Sequence, residues 1–165
     1  MLNVILLAGA LALAPVGMQG APAEAADLLG LWLDENGEVA VELEMCGDQL
    51  CGRVAWLNEE LDAGGQARVD AKNRAAELRD RELQGLTVLS KFAPSDDDFG
   101  VWKQGMLYDP NLGATFIHCT LRVEDDGRLR IRGFEGHKGS RGLVASRFGK
   151  TTYWSRVTLA QLGAQ

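Results

Sequence analysis

Histidine is scarce in this chain, with only His118 and His137 among 165 residues. Both lie far from Cys46 and Cys51, at neither helical nor hairpin spacing to them, so no zinc-type ligand set is assembled by sequence. Neither has serine and carboxylate partners that the sequence places as a nucleophilic triad. Base is also short: 17 Lys and Arg face 23 Asp and Glu, for a net charge of −6. Affinity for nucleic acid comes mostly from cations on phosphates, so no nucleic-acid partner is expected. Arg128, Arg130 and Arg132 share a strand face, which reads as a solvated face balanced by nearby acids. After residue 25 no run is apolar enough to span a bilayer.

Catalytic and cofactor motifs are missing as well. Gly149-Lys150-Thr151 ends like a phosphate-binding loop, but Val144 stands where the first glycine is required, and a strand rather than a helix follows. Gly139-Ser140-Arg141-Gly142 lacks the glycine two residues before the serine of a nucleophile elbow. Gly136, Gly139 and Gly142 do not have dinucleotide spacing. Asp96-Asp97-Asp98 lacks the glycine and glutamate of a calcium loop and reads as a charged turn. The expectation is a protein with no catalytic residue, no metal and no cofactor.

At the amino terminus, residues 4–17 form an apolar run of signal-peptide length, and Ala23-Glu24-Ala25 supplies an A-x-A cleavage pattern. Residues 1–25 are therefore expected to be an export leader, and residues 26–165 a single domain. Cleavage removes one acid, Glu24, and no base, leaving a net charge of −5.

The remainder reads as eight strands. Val39, Val41, Leu43 and Met45 alternate with Glu38, Glu42 and Glu44, the pattern of a half-buried strand. Asn36-Gly37 before it is a hairpin turn signal. Strands are expected over 28–34, 38–46, 50–57, 85–92, 100–108, 114–123, 128–135 and 150–159. Short, regularly spaced strands with turn chemistry between them favour an all-β antiparallel up-and-down barrel, and eight strands leave an interior that is filled or holds one small ligand. Two connections are long, 58–84 and 136–149, with a short helix expected over 73–81 capped by Asn73.

Cys46 and Cys51 flank a four-residue hairpin loop, which in an exported chain reads as a disulfide, with a metal site as the rival. Cys119 is left over and shares a face with Ile117, Leu121 and Val123, as a buried thiol does. Trp56 shares a parity with Val54, and Trp102 and Tyr108 share one with Met106. These aromatics read either as core packing or as the lining of a cavity.

Gly30-Leu31-Trp32 near one end and Trp154-Ser155-Arg156 near the other resemble the signature of the calycin barrels, the lipocalins and their relatives, in which the arginine lies across the tryptophan. The segment from Cys46 to Leu57, Leu78-Arg79-Asp80-Arg81, the Gly85-to-Leu89 segment, Tyr108-Asp109-Pro110 and the close from Phe148 to Arg156 are together similar to the exported bacterial proteins grouped as domain of unknown function 2147. The resemblance implies a lipocalin-like barrel in the envelope of a Gram-negative bacterium, periplasmic or secreted, with no established reaction. It places Trp32 and Arg156 as the closing pair, Cys46 and Cys51 as the hairpin disulfide, and Tyr108 to Pro110 as a strand-to-turn corner. The family's Asn-Pro-Asp is here Asn73-Arg74-Ala75, and the stretch from 137 to 147 is longer than the family's.

The expected function is non-enzymatic: a carrier or scavenger of a small apolar or amphipathic ligand, such as a lipid or fatty acid. The expected lining is drawn from Val41, Leu43, Val54, Trp56, Trp102, Tyr108 and Ile117. The alternative is an envelope-stress or interaction module with a solid core and binding loops.

Overall fold

The computed structural model describes residues 25–139 and 142–163, of which 135–139 and 142–148 by their backbone alone. The leader read over residues 1–25 thus lies, Ala25 excepted, outside the described residues. Eight strands close on one another in sequence order: β1 (Gly30–Leu33), β2 (Val39–Cys46), β3 (Gln49–Leu57), β4 (Thr87–Pro94), β5 (Trp102–Asp109), β6 (Ala114–Val123), β7 (Leu129–Gly139) and β8 (Gly142–Arg156). Every pairing is antiparallel, so the chain is an all-β up-and-down barrel.

Local chemistry sets the turns. Between β1 and β2, Gly37 takes φ 73° and the Asp34 carboxylate accepts from the backbone N–H groups of Glu38 at 2.7 Å and Val39 at 2.9 Å. An aspartate that satisfies two turn amides fixes the hairpin, and with it the register of β2. Cys46 and Cys51 form a disulfide across the β2–β3 hairpin, Cα atoms 5.8 Å apart, and Cys119 is a free, buried cysteine.

The seam between β1 and β8 is the shortest pairing, with two partner pairs, Trp32 with Arg156 and Leu33 with Ser155. Side chains reinforce it. The Arg156 guanidinium lies 4.3 Å from the Trp32 ring centroid, donates to the Leu29 carbonyl at 2.8 Å, and donates to the Asp27 carbonyl. Trp32 is fully buried and its indole N–H donates to the Leu28 carbonyl at 2.7 Å. Gly30 is required here, since its φ is 113° and a Cβ would sit 3.2 Å from Arg156 Nη1.

Four expectations need correction. The helix read over 73–81 is a three-residue 3₁₀ turn, Ala76–Leu78, and Asn73 does not cap it; its Oδ1 instead accepts from Ala75 N at 2.9 Å. A short helix, α1 (Leu159–Leu162), forms after the barrel where the last strand was expected to run on; the Gln161 side chain reaches back to Thr158 N at 2.8 Å. The 136–149 connection is strand, its backbone paired from Gly136 with Ala145 to Gly139 with Gly142. Its glycines occupy ladder positions, which need no side chain.

The fourth correction concerns parity. Lys91, Gln104 and His118 take φ of 64°, 63° and 52° within β4, β5 and β6. Register shifts occur beside Gln104, beside His118 and between Ala40 and Val41. Each bulge reverses which residues face inward. After Val54 it is Leu57, not Trp56, that joins the core; in β6 the core takes Phe116, Cys119 and Leu121 but not Ile117; in β5 it takes Trp102, with Leu107 packed against it, but not Met106.

Arg156→Ala should lower stability by about 2 kcal/mol, a cation–π contact plus charged hydrogen bonds discounted for exposure. The melting temperature followed by circular dichroism should fall by roughly 6 °C. An unchanged melting temperature would show that the seam holds without the arginine.

Candidate functional site

Up-and-down topology divides the connections between two ends. The β2–β3, β4–β5 and β6–β7 turns, with Trp32 and Arg156, lie at one end. The β1–β2 turn, residues 58–86, the β5–β6 turn and the β7–β8 hairpin lie at the other. The first half of the interior is filled by Leu43, Leu50, Leu89, Phe92, Trp102 and Leu121, all at most 2% exposed. Glycines make room for these side chains: a Cβ at Gly105 would overlap the Phe92 ring, and one at Gly52 would lie 2.8 Å from Val41.

Toward the other end packing gives way to a cavity of about 100 Å³. Its apolar wall comes from Val39, Val41, Val54, Val88, Leu107 and Trp154. Its polar groups include Asp34, Arg68, Tyr108, Asp109, Lys150 and Thr152. Of the residues expected to bind ligand, Val41, Val54 and Tyr108 line this cavity. Leu43 and Trp102 are buried in the filled half, Trp56 is half-buried outside the core cluster, and Ile117 is buried but also outside it.

Residues 58–86 form a strap across this end. Short bridges pair Leu61 with Ala67 and Val69 with Glu82, and Leu83 and Leu86 reach into the core. The strap presses against the β5–β6 turn: Lys72 Nζ donates to the Asn111 carbonyl at 2.8 Å, and a Cβ at Gly113, where φ is 60°, would overlap the Lys72 carbonyl.

A fully buried carboxylate pins the strap to the barrel wall. Asp70 Oδ2 accepts from Arg81 Nε at 3.0 Å, Arg81 Nη2 at 2.8 Å and Asn73 Nδ2 at 2.7 Å. Its Oδ1 accepts from the Tyr108 hydroxyl at 2.6 Å, and the Tyr108 hydroxyl oxygen in turn accepts from Asn73 Nδ2 at 3.0 Å. Arg81 also lies over the Tyr108 ring, 5.5 Å from its centroid. A buried charge is tolerable only when paired and hydrogen-bonded, and this one is. Burial first, then the hydrogen bond to Asp70 and its charge, push the Tyr108 phenol up to about 12, opposed by Arg81 and Asn73.

The chemistry of this network is that of holding the strap to the barrel wall. Tyr108 keeps its proton at neutral pH and gives it to Asp70 as a hydrogen bond. Cys119 lies outside the cavity lining, its thiol pushed by burial up to about 12. Donor atoms of Glu44, Cys46 and Cys51 lie within 4.8 Å of one another, but both sulfurs are spent on the disulfide. On the outer surface Arg128 pairs with Asp126 at 2.7 Å, and Arg122 and Arg130 flank Glu124 at 3.8 and 3.7 Å.

Asp70, Arg81, Arg68, Leu83, Lys150, Thr152 and Trp154 were not singled out for the site from sequence. Only the inward alternation of Lys150, Thr152 and Trp154 along β8 carried a readable signal.

Asp70→Ala leaves Arg81, Asn73 and Tyr108 without their acceptor and should cost about 3 to 5 kcal/mol. Proteolysis within 58–86 should speed up first; equal protection in parent and variant would contradict the pinning role. Tyr108 adds a pH signature. Its folded value, about 12, lies above the ordinary 10.0, so its contribution is full below pH 10 and is lost as pH rises toward 12. The stability gap between the parent and Tyr108→Phe should hence narrow over that interval in denaturant titrations, and a constant gap would refute it.

No curated protein matches the chain. A solved structure described as "Protein HP1028 from the human pathogen Helicobacter pylori belongs to the lipocalin family" is similar to it, with a TM-score of 0.59 and 20% identity over 83% of this chain and 87% of that one. At that identity the likeness speaks for the fold, a lipocalin-like barrel. The family model "Uncharacterized protein conserved in bacteria (DUF2147)" matches residues 30–156, which is most of the chain, and the chain belongs to that family.

Proposed function

We propose that this protein is a non-enzymatic binding protein of the bacterial envelope, a carrier or scavenger that holds a small amphipathic molecule at the strapped end of its barrel. The observation that carries the reading is the cavity: apolar walls, polar groups at the rim and a solid floor. Concave, mostly apolar sites with a few polar groups are the usual form of small-molecule sites. The size narrows the ligand. About 100 Å³ is less than the roughly 150 Å³ apolar cavity that accepts benzene, so the enclosed part of the ligand is a ring or a few carbons. A long-chain fatty acid enters only if the strap moves. Export is supported by the leader-like segment and the disulfide, which persists in oxidising compartments. Among the described residues no helix is long and apolar enough to cross a membrane.

The second reading, an interaction module, is favoured by a different feature. Leu61, Val69 and Leu78 on the strap and Leu112 on the β5–β6 turn are exposed by 55, 37, 39 and 59%, apolar surface of the kind partners cover.

Intrinsic fluorescence separates the two, because Trp154 lines the cavity. Titration with short- and long-chain amphiphiles should shift the emission and raise the melting temperature, and Val41→Trp, which fills the space, should abolish both effects. If no amphiphile moves either signal, the carrier reading fails and the interaction reading stands.

A further inference from the structure

We infer that the strap is an entry lid, a preformed ribbon that moves off the cavity as one piece, hinged beside β3 and latched on β5 by Tyr108. This rests on the binding reading above and adds how a ligand reaches the chamber.

The strap is zipped by bonds of its own. Asp70 N donates to the Arg81 carbonyl and Leu83 N to the Arg68 carbonyl, each at 2.9 Å, on either side of the bridge between Val69 and Glu82. The Asp62 carboxylate closes the tip, accepting from Gly64 N at 2.8 Å and Gln66 N at 3.0 Å, while Asp62 N donates to the Gln66 carbonyl at 2.8 Å. Its hold on the barrel is slighter. Within 58–86 the buried residues are Asp70, Asn73, Leu83 and Leu86, and segments with few buried apolar contacts open at lower free energy than the core beneath them.

The contacts with the barrel fall into two sets. One lies beside β3, where the strap begins and ends: Gly85 N donates to the Val54 carbonyl at 2.8 Å, Val54 N to the Leu86 carbonyl at 2.9 Å, and Gln84 Nε2 to the Ala55 carbonyl at 3.0 Å. Gly85 has a φ of 77° with nothing within 4 Å of a Cβ position, an uncrowded glycine suited to a hinge. The other set lies two strands away, roughly 10 Å across the sheet, on β5 and the turn after it: Tyr108 meets Asp70, Asn73 and Arg81, and Lys72 meets Asn111. Arg68 and Leu83 of the same ribbon line the cavity. A hinge on one side and a latch on the other, with lining residues on the piece they hold, is the geometry of a lid.

How the buried charge is paired decides whether the latch can open. Parting a buried carboxylate from its cation is strongly unfavourable. Here Arg81 and Asn73 belong to the ribbon, so Asp70 keeps their bonds as it leaves the wall. Given up on the barrel side are the Tyr108 hydroxyl bonds, the Arg81 contact with its ring, the Lys72 bond to Asn111 and the burial of Leu83. Tyr108 also lines the cavity, so a ligand in the chamber lies beside the latch.

Thiol labelling tests this without a ligand. Thr152→Cys puts a thiol in the cavity lining, where Thr152 is 6% exposed, and the native Cys119, 0% exposed in the core, reports opening of the barrel itself. Where the strap recloses faster than N-ethylmaleimide reacts, the labelling rate follows the open population. Adding Tyr108→Phe should speed labelling of the introduced thiol about 10-fold or more, the worth of a hydrogen bond to a charged group. Leu83→Ala should speed it from the strap side. In Tyr108→Phe the labelling of Cys119 and the hydrogen exchange of the Asp70 and Leu83 amides should stay as in the parent, because the ribbon remains zipped. Equal labelling of the introduced thiol in the parent and both variants would overturn the lid. Cys119 accelerating in step would show that the barrel opens instead, and the two amides accelerating in step would show that the strap unfolds rather than moves whole; either result overturns the inference. All three leave the binding reading intact, since that stands or falls with the amphiphile titrations.

Discussion

Closure of the barrel depends on a contact between residues 124 positions apart, the guanidinium of Arg156 on the indole of Trp32. Six of the other seven strand pairings join neighbours connected by short turns, whose local closure costs little entropy. The β1–β8 pairing must bring the two ends of the domain together and has two residue pairs to show for it. Arg156 compensates by spending its donors on the Leu29 and Asp27 carbonyls while its charged plane covers the ring. An open eight-stranded sheet would expose two edges and an apolar face; the closed one has neither. Everything at the strapped end presupposes that seam, because the cavity walls include β2 and β8, the strands that flank β1.

The elements read most securely from sequence are those fixed locally. Asn36-Gly37 and Cys46 to Cys51 each set a hairpin with residues in direct succession, and the alternation of Val41 and Leu43 with Glu42 and Glu44 is undisturbed because no bulge falls between them. Where a bulge does fall, period two misleads. Trp56 had the parity of Val54 until the register slipped at Ala40 and Val41, and Ile117 had that of Cys119 until His118 adopted φ 52°. Nothing about Lys91, Gln104 or His118 as residue types announces a left-handed backbone; tertiary closure imposes it. The glycines of 136–149 misled in the opposite sense, resembling loop chemistry while occupying paired strand positions.

The strap was illegible for a related reason. A buried aspartate cannot be told from a solvated one in a polar stretch, since the difference lies in partners 3, 11 and 38 residues away: Asn73, Arg81 and Tyr108. The motif residues Arg81 and Tyr108 were visible as parts of a family pattern, yet their purpose is clear only when the strap is laid across the barrel. Asp70 is then the group that the other two serve, and Tyr108 becomes the joint through which the strap and the cavity wall share one hydrogen-bond network.

That sharing bears on why the barrel is filled at one end and hollow at the other. Leaving about 100 Å³ unfilled in an apolar interior forgoes packing worth roughly 2 kcal/mol at the usual cost per unit of cavity volume. Larger side chains at Val41, Val54 or Thr152 would recover it, just as Phe92 and Trp102 fill the closed half over Gly105. Stability alone would favour that filling. The strap instead secures the hollow end by a polar network whose one member in the cavity lining is Tyr108, so the end stays held while the chamber stays unfilled. A solid floor beneath an unfilled, largely apolar chamber, with charged groups of both signs around it, is the arrangement on which the proposed binding role rests.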